Sequence, residues 1–328
     1  MASPGLSELV THTQRNRPGR VIDLVTKNNG FFHQMKKMKR IKTESGGRTL
    51  VRELDYQENG SFGWYDSYDE LSVAPSDILT AAEFDWKQAA VFVSIDGKTK
   101  LINRGPDRVV DIYKTRIDNA ERTLVNKISL ACYGDGTGSG GKEIGGLQLL
   151  VADSPSSGTV GGIDRASWTF WRNVAFDFSS SSIGAAASSA NIQTGMIKTE
   201  LQISRRSTGD KPDIWLFGND YFEYFWASLT PLQRFADAEE ADLGFKVLSF
   251  NGSKVICDGG IGGGISDGTK KGYALCSKYL DFTIMEGANF EQIGGKREPV
   301  NQHAEGVFLG FMGNMTMSNA FVQAVMKD

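Results

Sequence analysis

Between Gly105 and Ala131 the apolar residues Val110, Tyr113, Ile117, Ala120, Leu124, Ile128 and Ala131 recur at spacings of three and four. That period puts them on one stripe of a single helix. Gly105-Pro106-Asp107 supplies the start, because proline is tolerated in a first turn and an acid suits the positive end. Asp118 and Arg122, four apart on the opposite face, add a little support. A helix over 106–131 would run about 37 Å. It is a domain-spanning spine, and the rest of the chain must be arranged along it.

Upstream, the pattern switches to strands. Leu50, Arg52, Leu54 and Tyr56 share one face of an extended segment, with Thr49, Val51, Glu53 and Asp55 on the other. Glu58-Asn59-Gly60-Ser61 reads as a turn, since Asn-Gly readily adopts positive φ. A return through Phe62, Gly63, Trp64, Tyr65 and Tyr68 to Leu71 makes 43–73 a long hairpin, stopped by Ala74-Pro75. A two-stranded ribbon is marginal alone, so this one wants a neighbour. Phe84, Trp86 and the Val91–Ile95 run predict a second strand group, with Asp96-Gly97 turning it into 98–102.

Downstream, Gly134-Asp-Gly-Thr-Gly-Ser-Gly-Gly141 ends the spine and opens a region dense in Gly, Ser and Ala. The 38 glycines of 328 residues exceed the average share of about 7%. Expected there are a helix near Ile192–Arg205, a strand at Ile214–Phe217, a helix over Tyr221–Leu229 and strands around Phe245–Ile256. The tract Gly259–Gly264 with Ser266–Gly272 reads as a mobile loop. Gly306–Met317 is an apolar strand, and Ala320–Met326 pairs back on it or caps it. No internal repeat or low-complexity linker interrupts the chain.

Charge is segregated. The chain as a whole carries −3, yet from Arg15 to Lys42 nine bases (Arg15, Arg17, Arg20, Lys27, Lys36, Lys37, Lys39, Arg40 and Lys42) face one acid, Asp23. A local balance of +8 inside an acidic protein points to something negative, either nucleic acid phosphates or an acidic patch on a neighbour. Phe31, Phe32, Met35 and Met38 interrupt the bases and suggest packing rather than a plain solvated tail.

Chemistry is poorly served by this sequence. Gly136 to Lys142 fits G-x-x-x-x-G-K, but Glu143 stands where a phosphate loop needs Ser or Thr. It also follows a helix, where that motif requires a strand. His12, His33 and His303 have no metal-binding spacing, and there is no G-x-S-x-G elbow. Cys132, Cys257 and Cys276 are odd in number and far apart, the pattern of reduced thiols rather than a disulfide frame or zinc site. The acids Asp237, Glu239 and Glu240 would suit a glycan hydrolase or, more simply, a solvated face. No catalytic residue, cofactor or metal is assigned. The start lacks the basic and apolar regions of a secretory signal, and no apolar run reaches the roughly 18 residues of a membrane span.

The order of parts resembles the Hong Kong 97-type major capsid proteins of tailed bacteriophages. A basic arm, an extended hairpin, a spine helix, a glycine-rich α/β region and a C-terminal strand follow one another in the same sequence. Gly145-Gly146-Leu147-Gln148, Gly161-Gly162-Ile163-Asp164-Arg165, Trp168 and Trp171-Arg172-Asn173 resemble a signature of such proteins. The resemblance implies an α+β subunit with an N-terminal arm (1–42), an E-loop hairpin (43–75) and a P domain (76–133, with the spine at 106–131). A mainly A-domain region (134–290) and return strands of the P domain (291–328) would complete it. Such subunits self-assemble as hexamers and pentamers into an icosahedral head around double-stranded DNA, in the virion after assembly in the host bacterial cytoplasm. With no room for a scaffolding domain before the hairpin, a separate scaffolding protein is expected, besides the portal. Leu50, Leu54, Phe62, Trp64 and Tyr65 would anchor the E-loop on a neighbour. Gly262, Gly263, Gly264, Asp267 and Lys270 would lie near the capsomer axis. An encapsulin-like nanocompartment shell is the alternative on the same fold.

Overall fold

The computed structural model describes residues 30–70, 76–97, 112–207, 209–229, 247–258, 270–297 and 304–328. Two sheets organise them. The first is four-stranded, in the order β1 (Ile41–Glu44), β12 (Leu280–Arg297), β13 (Ala304–Met317), β4 (Lys87–Asp96). Strand β1 runs parallel to β12 and the other pairings are antiparallel.

The spine helix α2 (Ile112–Ala131) ends at the expected residue; its start lies outside the described residues. It packs on this sheet as the stripe requires. Ala120 and Leu124 are buried against Val93 of β4 and Leu309 of β13, while Ile128 reaches the main core.

The second sheet has six strands: β7 (Val174–Asp177), β14 (Ala324–Lys327), β11 (Lys271–Leu275), β8 (Ile214–Phe217), β10 (Ser253–Cys257), β9 (Val247–Phe250). Every residue of β8 is buried, as expected of a central strand covered on both faces. Helices α3 (Ile192–Ser204) and α4 (Asn219–Ser228) build a core with this sheet through Phe178, Met196, Trp215, Tyr221 and Phe225. Gly195 lets α3 approach closely, since a Cβ there would lie 2.5 Å from the Phe178 ring. The helix at 192–205, the strand at 214–217, the helix at 221–229 and the strands near 245–256 are therefore all present.

Two expectations are corrected. The partner of β2 (Thr49–Asp55) is not the 62–71 segment but β3 (Leu79–Asp85), across a longer loop. Burial selects this register: Leu50 needs Phe84 opposite it, whereas 62–71 carries acids and Gly63 among its aromatics. The 320–326 segment does not return to β13. A turn in which the Asn319 side chain accepts from the Phe321 amide redirects it, and β14 inserts between β7 and β11. Residues 280–290 lie in β12 of the four-stranded sheet. The strand expected over 98–102 lies outside the described residues.

Candidate assembly interface

The ribbon β2–β3 is rooted in the molecule by alternation. Leu50, Leu54, Ala82 and Phe84 point into the main core, and Val51, Glu53, Ala81 and Glu83 beside them face out. Arg52 fastens the root further: its guanidinium donates to Thr316 and Thr283 hydroxyls at 3.1 and 2.8 Å and pairs with Glu44 at 2.9 Å. Buried Asn314 staples the same corner, donating to the Asp85 carbonyl and accepting from the Gly145 amide. Leu50 and Leu54 are thus core residues of their own subunit, and a neighbour cannot reach them.

The outer loop is the opposite case. Trp64 is 93% exposed and Phe62 76%, with Tyr65 and Tyr68 exposed beside them. Local bonds shape this tip. The Asn59 carboxamide accepts from the Ser61 amide at 3.0 Å, Asp69 accepts from the Asp66 amide at 2.9 Å, and the Phe62 and Trp64 rings meet edge to face. So many large aromatics in solvent at one end of a ribbon mark an interaction surface. From Glu53 to Trp86 the chain also holds nine carboxylates and no lysine, arginine or histidine. That signal is visible in the sequence, but it is masked when charges are counted over the whole chain.

The signature residues form a structural clasp beside the ribbon. Gly161 and Gly162, both at positive φ, make the two-residue turn between β5 (Thr159–Val160) and β6 (Ile163–Asp164). A Cβ on Gly161 would lie 3.0 Å from Ala82, so glycine also allows β3 to pass close by. Arg165 is buried and donates to the carbonyls of Trp171, Leu149 and Leu150. Burial lowers its pKa to about 10, which leaves it a cation at neutral pH. Trp171 donates to the Val160 carbonyl at 2.9 Å, and Asn173 exchanges two bonds with the backbone of Ala152. Gly146 packs on the end of the spine, where a Cβ would sit 2.4 Å from the Cys132 carbonyl oxygen.

Part of the basic arm is integrated into the body. Helix α1 (Gly30–Lys37) buries Phe31 and Met35 in the main core. Buried Asp258 accepts from the Phe31 amide at 2.9 Å, which satisfies one free donor of the first turn. Lys36, Lys37 and Lys39 remain exposed, and half-buried Arg40 approaches Asp281 at 4.0 Å, which Lys42 also holds at 2.7 Å. Arg15, Arg17 and Arg20 lie outside the described residues, as do Gly262, Gly263, Gly264 and Asp267. Lys270 is described, and it pairs with Asp328 of its own chain at 3.1 Å beside β11.

Burial pushes the Cys132 thiol up to about 12 and Cys276 to about 11, each helped by a nearby carboxylate, so neither is a ready nucleophile. The Gly136–Lys142 tract follows the spine, with Lys87 donating to the Gly141 carbonyl and Ser139 to Glu143. Those contacts do not form a phosphate cradle. Asp237, Glu239, Glu240, His12 and His303 lie outside the described residues. Among the described residues no cluster of His, Cys, Asp and Glu could hold a metal ion, and no helix is long and apolar enough to cross a membrane.

These features define the class of fold: the chain has the architecture of phage capsid proteins. The capsid protein of cyanophage A-1(L) aligns over 98% of this chain and 99% of its own, with a TM-score of 0.64 and 14% identity. The capsid of the native GTA particle aligns over 96% and 95%, with a TM-score of 0.56 and 10% identity. A chain of the holo-SrpI encapsulin complex from Synechococcus elongatus PCC 7942 aligns over 100% and 95%, with a TM-score of 0.53 and 9% identity. No protein-family model and no curated protein matches the sequence.

Proposed function

We propose that this chain is the major capsid protein of a tailed phage. It would be a structural subunit, not an enzyme, forming hexamers and pentamers that close an icosahedral head around double-stranded DNA. The carrying observation is the aromatic ribbon tip, exposed on a fold whose likeness to capsid subunits extends over 98% of the chain. In this reading β2–β3 and its loop are the E-loop. The four-stranded sheet with α2 is the P domain, and the six-stranded sheet with α3 and α4 is the A domain. The 259–272 segment lies near the capsomer axis, and the exposed lysines 36, 37 and 39, with the arginines at 15, 17 and 20, touch DNA or an acidic neighbour. A separate scaffolding protein and a portal act with it during assembly in the host cytoplasm.

Negative-stain electron microscopy of the protein, expressed alone and with its genomic neighbours, tests this reading. Closed polyhedral shells, or capsomers that close when a scaffold is added, are expected. A small discrete oligomer under every condition would reject it and return the acids at 237–240 to consideration as a hydrolase site. The likeness to an encapsulin shell favours a second reading, a nanocompartment holding protein cargo. Nuclease-protected DNA inside particles from infected cells separates a head from that alternative.

A further inference from the structure

A cavity of about 750 Å³ opens between the C-terminal half of the spine, the start of β4 and the loop after Gly134. Its floor is apolar, with Leu124, Ile128 and Phe311 among the lining residues. Its rim carries Lys127 and Lys142, with Lys87 donating to the Gly141 carbonyl and Lys271 paired with Asp153 at 2.8 Å, and a single lining carboxylate, Glu143. That carboxylate is turned back onto its own loop: Ser139 donates to it at 3.0 Å, and Gly138 leaves the room, since a Cβ there would lie 2.3 Å from it. An occupant must therefore be apolar where it enters and negative where it meets the rim.

The outer loop of the ribbon has that chemistry. Phe62, Trp64, Tyr65 and Tyr68 alternate with or flank Glu58, Asp66, Asp69 and Glu70, and no base lies among them. Within its own subunit this loop stands in solvent, so a second copy must supply it. We propose that the lysine-rimmed cavity is the receptor for the aromatic, acidic ribbon tip of a neighbouring copy. Aromatic side chains fill the floor, and the flanking carboxylates meet Lys127 and Lys142. The inference rests on the shell reading and adds to it the residues that receive the tip. It also gives the G-x-x-x-x-G-K tract a role: Lys142 sits on the rim, where it attracts a protein carboxylate instead of a nucleotide phosphate.

The test uses assembled particles of the full chain carrying Cys257→Ser, which removes the partly exposed native thiol. Tyr65→Cys combined with Gln148→Cys, the latter on the cavity wall, should give an oxidised ladder of covalently linked subunits that neither single variant gives. In parallel, Lys127→Glu with Lys142→Glu should raise the concentration needed for assembly about tenfold, with thermal unfolding unchanged. Adding Glu58→Lys and Glu70→Lys to the same chain should restore it. Intact particles with no ladder, or a tip cysteine that links instead to Arg17→Cys in the arm, would overturn the receptor assignment and leave the shell reading standing. A wild-type chain that never forms particles would overturn both.

Discussion

Arg165 illustrates how a single buried cation holds a crossover together. No carboxylate is among its hydrogen-bond partners, which are three backbone carbonyls from 149, 150 and 171. A neutral side chain there leaves those acceptors buried without donors, at about 1–3 kcal/mol for each group that fails to find water. Arg165→Leu should therefore lower unfolding free energy by about 3 kcal/mol or more, read by urea denaturation. Arg165→Lys should recover only part of it, because an ammonium lacks the planar fork. Equal stability of the leucine variant and the wild type would contradict this role. The sequence marked Arg165 as part of a signature. It did not show that the arginine faces inward, since that depends on carbonyls brought near by turns up to sixteen residues away.

At the scale of elements, α1 and the ribbon are a contrasting pair. Phe31 of α1 is buried against Tyr133, their ring centroids 5.8 Å apart, so Phe31→Ala should cost about 3–5 kcal/mol. A thermal unfolding scan showing no loss would mean that the helix is not part of the cooperative core. Trp64 is the mirror case: exposed in the subunit apart from its edge-to-face contact with Phe62, it anchors the proposed contact. Trp64→Ala should leave the melting temperature unchanged while weakening assembly by about 2 kcal/mol or more, the usual cost at an interface anchor. Sedimentation of particles against free subunits measures it, and shells of undiminished stability would remove Trp64 from the interface. Periodicity located the spine, α3, α4, β8 and β13 because each carries its signal within a few turns of chain. It failed for the hairpin's return strand and for β14. Both are decided by what lies opposite, Phe84 against Leu50 in one case and the gap between β7 and β11 in the other.

Across the whole molecule, charge is sorted rather than balanced. Residues 15–42 carry +8, residues 53–86 carry nine carboxylates without a base, and four lysines rim the spine cavity, yet the sum is −3. Copies that meet tip to cavity bring opposite blocks together, so the contact should weaken as salt shortens the Debye length from about 10 Å at 0.1 M to about 3 Å at 1 M. Light scattering of subunits titrated with sodium chloride should show the assembly threshold rising through that range. A threshold indifferent to salt would place the driving force in apolar contact alone. Composition hides this arrangement, because opposite blocks cancel in any total.

Strand β14 has a consequence for how a cell makes the protein. It lies between β7 and β11, bonded to both, so the sheet remains in two pieces until the ribosome has delivered residues 324–327. Everything from the spine to β13 is synthesised earlier and must wait with the flank of β11 open. A chain broken off by premature termination or proteolysis before Ala324 therefore lacks the strand that joins the halves. Its β11 edge stands open, a template for pairing with another chain. An open edge on β11 thus distinguishes an interrupted chain from one that carries β14.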